Sequence, residues 1–284
     1  MEILAKILAF LDSSMPRPTM YGAFHLFFFI LSVALGIILC IFCKKPNKKF
    51  IRRLLFWTSV VIMVLEIYKQ INYSFSYTDG IKYDYQWYAF PFQFCSTPMY
   101  IGLLASLIKN DKLHKSLCAY LATFALFAGL CVMFYPGDIY TQTIGINIQT
   151  SVCHGSMITL GIYLLGSGYV KREHKTLLKA IPVFASLVLI AAVMNEIAFL
   201  SGLTASETFN MFFISPHCDP SLPVYSLVQG VVPFPFCLVL YILAFSAAAY
   251  IMVLISMLIE KIFSKKSNRL PLEKNEKEKE EVTV

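Results

Sequence analysis

Charged side chains are scarce in this sequence. Only 14% of its 284 residues are Asp, Glu, Lys or Arg, whereas about a quarter is usual in a soluble domain. Hydrophobic residues make up 57%, and the mean hydropathy is +0.66. A water-soluble fold of this size has no room to bury so much apolar surface, so the composition excludes a soluble globular protein. It predicts an integral membrane protein that has lipid as part of its solvent.

The sequence also lacks the marks of a secreted, disulfide-bonded or nucleic-acid-binding protein. Glu2 and the missing small-residue cleavage site argue against a signal peptide, and residues 1–20 are predicted to lie in the membrane interface. Most of the eight cysteines fall in apolar runs and Cys218 has no evident partner, so no disulfide is predicted. The basic residues form short clusters between apolar runs, which is not the pattern of a nucleic-acid surface. No cofactor is predicted.

Seven apolar runs are long enough to cross a bilayer, which takes about 20 helical residues. They predict an all-α fold, a polytopic membrane bundle of seven transmembrane helices. The connections after the first, third, fifth and seventh runs are rich in lysine and arginine, and the others hold almost none. Because basic loops face the cytoplasm, we expect the N-terminus outside and the C-terminus in the cytoplasm. The predicted spans lie near 21–43, 54–72, 87–108, 115–135, 147–170, 177–200 and 234–260.

Three parts are predicted along the chain: the interfacial segment 1–20, the helix bundle 21–263 and a charged cytosolic tail at 264–284, which we expect to be disordered. The longest outer connection, near 201–233, is rich in aromatic residues and prolines. This composition predicts a segment folded back against the bundle rather than a free loop. His114, in a basic turn, is expected to be solvated.

Polar side chains inside the predicted spans are concentrated in their outer halves. Glu66 and Lys69 share one face of the second span. A charge at the centre of a membrane helix costs about 2.5–3.5 kcal/mol on insertion scales, so this one-sided set predicts a polar cavity open to the outer leaflet. The alternative is that Glu66 and Lys69 form a purely structural ion pair that joins helices. The other members of the set are Gln93, Ser151, His154, Asn195 and Glu196, with His217 in the next loop placed to line the same cavity.

Cys95 and His154 are the candidate catalytic residues. Cys95 precedes Pro98, which has no N–H, so the helix is expected to open there and leave the Phe94 carbonyl without its helical donor. His154, in the fifth span, is predicted at a similar depth. A thiol nucleophile needs its thiolate, and an imidazole can take the proton. The candidates for orienting the imidazole are Asn147, Ser151, Asn195 and Glu196.

Several short runs carry a family resemblance: FPFQFCSTPMY, MFYPGDIY, VCHGSMITLGIYLL, and NMFFISP followed by LPVY and VPFPF. They resemble the bacterial YwaF-type integral membrane proteins, which are similar to the eukaryotic transmembrane protein 164 family. The resemblance covers all seven spans and leaves out the tail. It implies lipid acyl transfer by a cysteine nucleophile and a histidine, here Cys95 and His154. The androgen-induced membrane hydrolases, also similar, cleave fatty esters with a threonine and a histidine. Where many bacterial members are expected to have a histidine before the cysteine, this sequence has Gln93.

The first hypothesis is therefore a lipid acyltransferase or acyl hydrolase. Cys95 would attack an ester carbonyl of a phospholipid from the outer leaflet, with His154 as base and then acid. The acyl group would pass to a lysolipid or to water. Gln93, Asn195 or freed backbone groups near Pro98 would stabilise the oxyanion. The predicted partners are membrane lipids, and the predicted location is the cell membrane.

Two alternatives stay open. A small-molecule transporter or membrane sensor would use the same cavity, although the sequence has no internal repeat and no polar path through the inner halves of the spans. A metal site is the other, without the ligand spacing typical of zinc. The transporter residues would be Glu66, Lys69, Asn195 and Glu196, and the metal ligands would be Cys153, His154, His217 and Cys218.

Overall fold

The computed structural model describes residues 6, 9–10, 12–76, 81–137, 139–202, 208–219 and 225–281, with side chains as far as Ile262. Its described part is almost entirely helical, which confirms the all-α prediction. Two-residue strands, Phe75–Ser76 (β1) and Lys82–Tyr83 (β2), pair antiparallel. The helices are α1 Ala23–Phe42, α2 Lys48–Asn72, α3 Thr97–Leu107, α4 Asp111–Phe134, α5 Ile144–Gly166, α6 His174–Leu200 and α7 Phe234–Glu281.

Five of these helices, namely α1, α4, α5, α6 and the part of α7 up to Ile262, are long and apolar enough to cross a membrane. Helix α2 has 25 residues but begins with a basic cluster, and α3 has only 11. Large apolar side chains cover the outside of the helices, with Phe42 80% and Leu200 78% exposed. Such a surface is stable in lipid and not in water, so the chain is a membrane protein.

The third predicted span, 87–108, is not one continuous helix. A 3₁₀ turn at Trp87–Ala89 is followed by irregular backbone, and α3 begins only at Thr97. Pro98 lies in the first turn of α3, where the missing N–H is not needed. The opening predicted beside Cys95 is therefore confirmed. The Thr97 hydroxyl donates to the Phe94 carbonyl at 2.9 Å and so replaces the donor that the proline lacks.

The core lies where α4, α5 and α6 meet. Phe124 of α4 stacks on Phe184 of α6 with ring centroids 4.4 Å apart, and it belongs to a π turn at Leu121–Ala125. Small residues bring α4 and α5 close together, as is usual between membrane helices. A Cβ atom added to Gly129 of α4 would lie 2.9 Å from the carbonyl oxygen of His154. This close approach fixes the position of the α5 backbone at His154.

The connection between α6 and α7 folds back into the bundle, as predicted, in its described parts. The side chains of Met211 and Phe212 are fully buried. Phe212 stacks on Phe94 with ring centroids 5.5 Å apart, and the Tyr241 hydroxyl of α7 donates to the Phe212 carbonyl at 3.0 Å. The segment therefore fills space between the start of α3, helix α6 and helix α7.

His114 is buried, so the expectation that it is solvated is wrong. It lies in the first turns of α4, next to the end of α3. Its Nδ1 atom is 2.8 Å from the Ala105 carbonyl, and its Nε2 atom is 2.7 Å from the Tyr169 hydroxyl. The last carbonyls of a helix have no partner inside it. A side chain from the next helix supplies the donor here, which draws the imidazole away from water.

The two ends of the chain are described only in part. Much of the predicted interfacial segment 1–20 lies outside the described residues, but Met15 N donates to the Gln142 carbonyl at 2.7 Å, and Ile144 N donates to the Ser13 carbonyl at 3.0 Å. These bonds join the segment to the start of α5. The apolar part of α7 ends at Ile262, and its backbone continues as helix to Glu281. The disorder expected for the tail stays a prediction.

Candidate functional site

A buried ion pair lies in helix α2. The Lys69 Nζ atom is 2.7 Å from Glu66 Oε1, and the two side chains are 16% and 6% exposed. Gln70 Nε2 also donates to Oε1 at 2.8 Å, and Gln149 Nε2 of α5 donates to Oε2 at 3.0 Å. Both carboxylate oxygens therefore have donors, which a buried charge requires. Gln149 was not among the predicted site residues, because nothing in its spacing links it to α2.

Gln70 extends this network toward Cys95. Its Nε2 atom donates to the Ala89 carbonyl at 2.9 Å, and its Oε1 atom accepts from the Tyr85 hydroxyl at 2.7 Å. Burial, together with the Glu66 carboxylate, raises the pKa of Tyr85 to about 12, so its hydroxyl remains a donor at neutral pH. Residues 90–96, between the 3₁₀ turn and α3, are called the opened segment. These bonds hold the chain that leads into the opened segment against the end of α2.

His154 is buried in α5 and has a defined tautomer. Its Nδ1 atom lies 2.7 Å from the Thr150 carbonyl and 3.3 Å from the Thr150 hydroxyl. A carbonyl oxygen only accepts, so Nδ1 carries the proton and the lone pair of the neutral ring is on Nε2. The orienting group is the backbone of Thr150. None of the four side chains considered from the sequence takes that place.

The opened segment contacts α5 at the level of His154. The Cys153 thiol donates to the Cys95 carbonyl at 3.5 Å, and Cys95 itself is half-buried. Hydrogen bonds thus join α2 to α5 through Glu66 and Gln149, and residues 90–96 to α5 through Cys95 and Cys153. Among the described residues no hydrogen bond joins the Cys95 thiol to the His154 ring.

A cavity of about 300 Å³ lies beside this region, between α2 and residues 91–100. Glu66, Gln70 and Ser74 are polar residues of its lining, and Met63 and Met99 are among its apolar lining. Its volume is at the lower end of the range for small-molecule pockets, about 300–1,000 Å³. The described residues that line it do not include Cys95 or His154, and its lining residues closest to Cys95 along the chain are Pro91 and Met99.

Gln93 and Asn195 bind the folded-back connection. Gln93 Nε2 donates to the Asn210 carbonyl at 3.1 Å, and its Oε1 accepts from Phe212 N at 3.1 Å. Asn195 accepts from Met211 N at 2.8 Å and donates to the Met211 carbonyl at 3.0 Å. The backbone that they hold is strained, because Phe212 has a φ of 59°. These contacts give no support to the oxyanion role considered for the two amides.

Replacing Asn195 by alanine is expected to destabilise the protein by about 2–4 kcal/mol. The substitution removes the partners of a buried N–H and a buried carbonyl of Met211, and each unsatisfied group costs about 1–3 kcal/mol. Thermal unfolding in detergent measures the effect. Glu196→Ala, one residue along the same helix, removes only a partly exposed ion pair and is the matched control. Equal melting temperatures for the two variants would contradict the structural role of Asn195.

Glu196 and His217 form a separate pair. His217 Nε2 lies 3.0 Å from Glu196 Oε1, both side chains are partly exposed, and the imidazole stacks on Phe199. Adjacent residues of a helix point in different directions, so Asn195 faces the core while Glu196 faces outward. The single cavity predicted from the sequence is therefore divided, and Glu196 and His217 do not share the site of Glu66.

Ser151 lies on another face of α5. Its buried hydroxyl makes no hydrogen bond to any residue that the structure describes. It lines a crevice of about 220 Å³ with Ser32 and Thr159. The described residues contain no group of three or more His, Cys, Asp or Glu side chains that could hold a metal ion.

Comparison with known proteins gives one result. A family model described as the TMEM164 family matches residues 20–253, which include α1 to α6 and most of the apolar part of α7. Cys95 and His154 lie within the matched range, and the charged tail lies outside it. No curated protein and no solved structure matches the chain. Because the family model covers most of the chain, the resemblance stated from the sequence is confirmed, and this membrane protein belongs to the TMEM164 family.

Proposed function

We propose that this protein is a lipid acyltransferase or acyl hydrolase with Cys95 as nucleophile and His154 as base. The contact between the Cys153 thiol and the Cys95 carbonyl carries the proposal, because it puts residues 90–96 at the level of His154 along α5. The imidazole has its Nδ1 proton on the Thr150 carbonyl, which leaves the lone pair on Nε2 for a substrate or thiol proton.

The reaction proceeds in two acyl transfers. Nε2 of His154 takes the Cys95 proton, and the thiolate forms a bond to the ester carbonyl carbon of a phospholipid. The carbon–oxygen ester bond breaks, the leaving alkoxide takes the proton from His154, and a lysolipid departs from the thioester. An acceptor hydroxyl or water then attacks the thioester carbonyl carbon and gives its proton to His154. The carbon–sulfur bond breaks, and the departing Cys95 thiolate takes that proton from His154. In this proposal the Lys69 ammonium, which is paired with Glu66, stabilises the oxyanion.

The cavity between α2 and residues 91–100 suits a lipid substrate. Glu66 and Gln70 give it polar groups, and Met63 and Met99 give it apolar ones. A glycerol ester is amphipathic in the same way, with polar oxygens next to an apolar chain. We place the ester beside Glu66 and Gln70 and the acyl chain along the methionines.

We also propose that all seven helices span the cell membrane, with the N-terminus outside. Helix α2 is 25 residues long, about 37 Å at 1.5 Å per residue, which exceeds the bilayer core. Helix α3 is too short to cross the membrane alone, and the irregular segment before it covers the rest of the distance. The basic clusters then all face the cytoplasm. An epitope at the N-terminus should be accessible in intact cells and one at the C-terminus only after permeabilisation; the reverse pattern would exclude this topology.

A transporter or sensor would use the same ion pair. That reading is weaker because Glu66 and Lys69 neutralise each other and are bonded to Gln70 and Gln149 within the protein. Toward the other end of α2, the side chains of Ile51 and Leu55 are fully buried in the apolar core. A transport path would need polar groups there.

Acyl labelling tests the proposed function. Purified protein is incubated with a phospholipid that carries an alkyne-tagged acyl chain, and a hydroxylamine-sensitive adduct is expected in the wild type. Cys95→Ala should show none, because the attacking sulfur is gone. Cys131→Ala is the control, since it removes an exposed thiol of α4 and should retain the adduct. An adduct that survives in Cys95→Ala, or no adduct in any form, would overturn the proposal.

A further inference from the structure

A second cavity lies at the opposite end of α2. It has a volume of about 630 Å³ and is bounded by the first turns of α2 and the end of α3. Arg52 and Glu66 are 14 residues apart on α2, which is about 21 Å along the helix. The cavity is therefore separate from the Cys95 region, and nothing in the acyl-transfer proposal uses it.

The walls of this cavity are strongly cationic. Four cations come from α2 and Lys109 comes from the opposite wall. Within the described residues, Lys48 has an acidic partner in Asp111, and that pair is exposed. The remaining cations have no carboxylate partner among the described side chains. The four from α2 are Lys48, Lys49, Arg52 and Arg53.

Arg52 is held in place with one donor unused. Its Nη2 atom donates to the Ile108 carbonyl at the end of α3. Its Nε atom is buried and makes no hydrogen bond to any described residue. A buried N–H without a partner costs free energy that an acceptor oxygen would recover. A guanidinium presents its donors in a planar fork, a geometry that matches phosphate oxygens.

The cationic walls adjoin apolar side chains. Phe56 and Leu107 also line the cavity, and Leu107 is largely exposed. Phe56 packs edge-on against Trp57, with ring centroids 5.3 Å apart. Tryptophan is typical of the membrane–water interface. Cations next to apolar side chains fit a molecule with a phosphate at one end and a hydrocarbon chain at the other.

We propose that this cavity binds the phosphodiester headgroup of an anionic phospholipid. Arg52, Arg53 and Lys109 bind the phosphate oxygens, and the first carbons of an acyl chain lie along Phe56 and Leu107. By the distribution of basic loops, the lipid belongs to the cytoplasmic leaflet. The site would be a specific lipid site on the side of the membrane opposite the acyl-transfer region.

Trp57 supplies a local reporter, because it is one of only two tryptophans in the chain. A Trp87→Phe variant of the full chain is reconstituted in phosphatidylcholine vesicles with rising fractions of brominated phosphatidylglycerol, or of brominated phosphatidylcholine. Bromine quenches Trp57 only on close approach. The anionic lipid is expected to reach half-quenching at a several-fold lower fraction. Arg53→Gln and Lys109→Gln, on opposite walls, should each reduce the preference about fivefold.

The control variants distinguish specific lipid binding in the cavity from a general attraction of anionic lipid to a basic surface. Lys171→Gln and Lys175→Gln remove exposed cations from another basic connection and should leave the preference unchanged. Equal quenching by the two lipids, or equal losses in control and cavity variants, would overturn the proposal. Soluble glycerol 3-phosphate should not compete at an equal phosphate concentration. If it abolishes the preference, the site binds free phosphate and the lipid assignment is wrong.

Discussion

Replacing His154 by alanine should lower the rate of acyl transfer about 10²–10⁴-fold, the usual contribution of a positioned general base. The substitution leaves Cys95 and the Lys69 ammonium in place but removes the acceptor for the thiol proton and the later donor to the leaving alcohol. The rate is measured as release of lysolipid from a fluorescent phospholipid by protein in nanodiscs. A rate within tenfold of the wild type would exclude His154 as the base.

Thr150→Val is the matched control for this measurement. It removes the hydroxyl that lies 3.3 Å from His154 Nδ1 but retains the backbone carbonyl at 2.7 Å. Because the carbonyl accepts the Nδ1 proton, the tautomer should persist and the rate should fall less than about tenfold. Melting temperatures of both variants show whether a lost rate reflects lost folding.

The fold could be predicted from the sequence where one residue type decides the local structure. Scarce charge predicted a membrane protein, and Pro98 predicted the opening beside Cys95 that α3 shows by beginning at Thr97. The start of the third helix was harder to predict. The aromatic residues before Pro91 are as apolar as those of a membrane helix, but they do not form a continuous α-helix. His114 was misjudged because its partners, the Ala105 carbonyl and Tyr169, lie on other elements.

The site was only partly predictable, for a related reason. Glu66 and Lys69 are three residues apart on one helix face, so their pairing follows from sequence spacing. Gln149 joins them from α5, and the Thr150 backbone orients His154. Neither contact has a signature in the sequence, since one crosses between helices and the other uses a main-chain atom. The separation of Asn195 from Glu196 could have been read from helix geometry alone, because adjacent residues do not share a face.

Lys69→Met should destabilise the protein by about 3–5 kcal/mol, the usual cost of removing one partner of a buried ion pair. Glu66 would keep its amide donors, Gln70 and Gln149, but no cation. Chemical unfolding in nanodiscs measures the change. Lys48→Met is the control, because its pair with Asp111 is exposed and its loss should have a much smaller effect. A Lys69→Met variant as stable as Lys48→Met would show that the pair contributes little to folding.

The double variant Glu66→Gln, Lys69→Met distinguishes a structural pair from a functional one. It leaves no unpaired charge, so most of the stability should return. It also removes the ammonium that stabilises the oxyanion in the proposed mechanism, so acyl transfer should stay at least about tenfold below the wild type. Recovery of both stability and rate would mean that Glu66 and Lys69 only join helices. Recovery of stability alone would assign Lys69 to the reaction, because the missing charge is then needed for the chemistry and not for the fold.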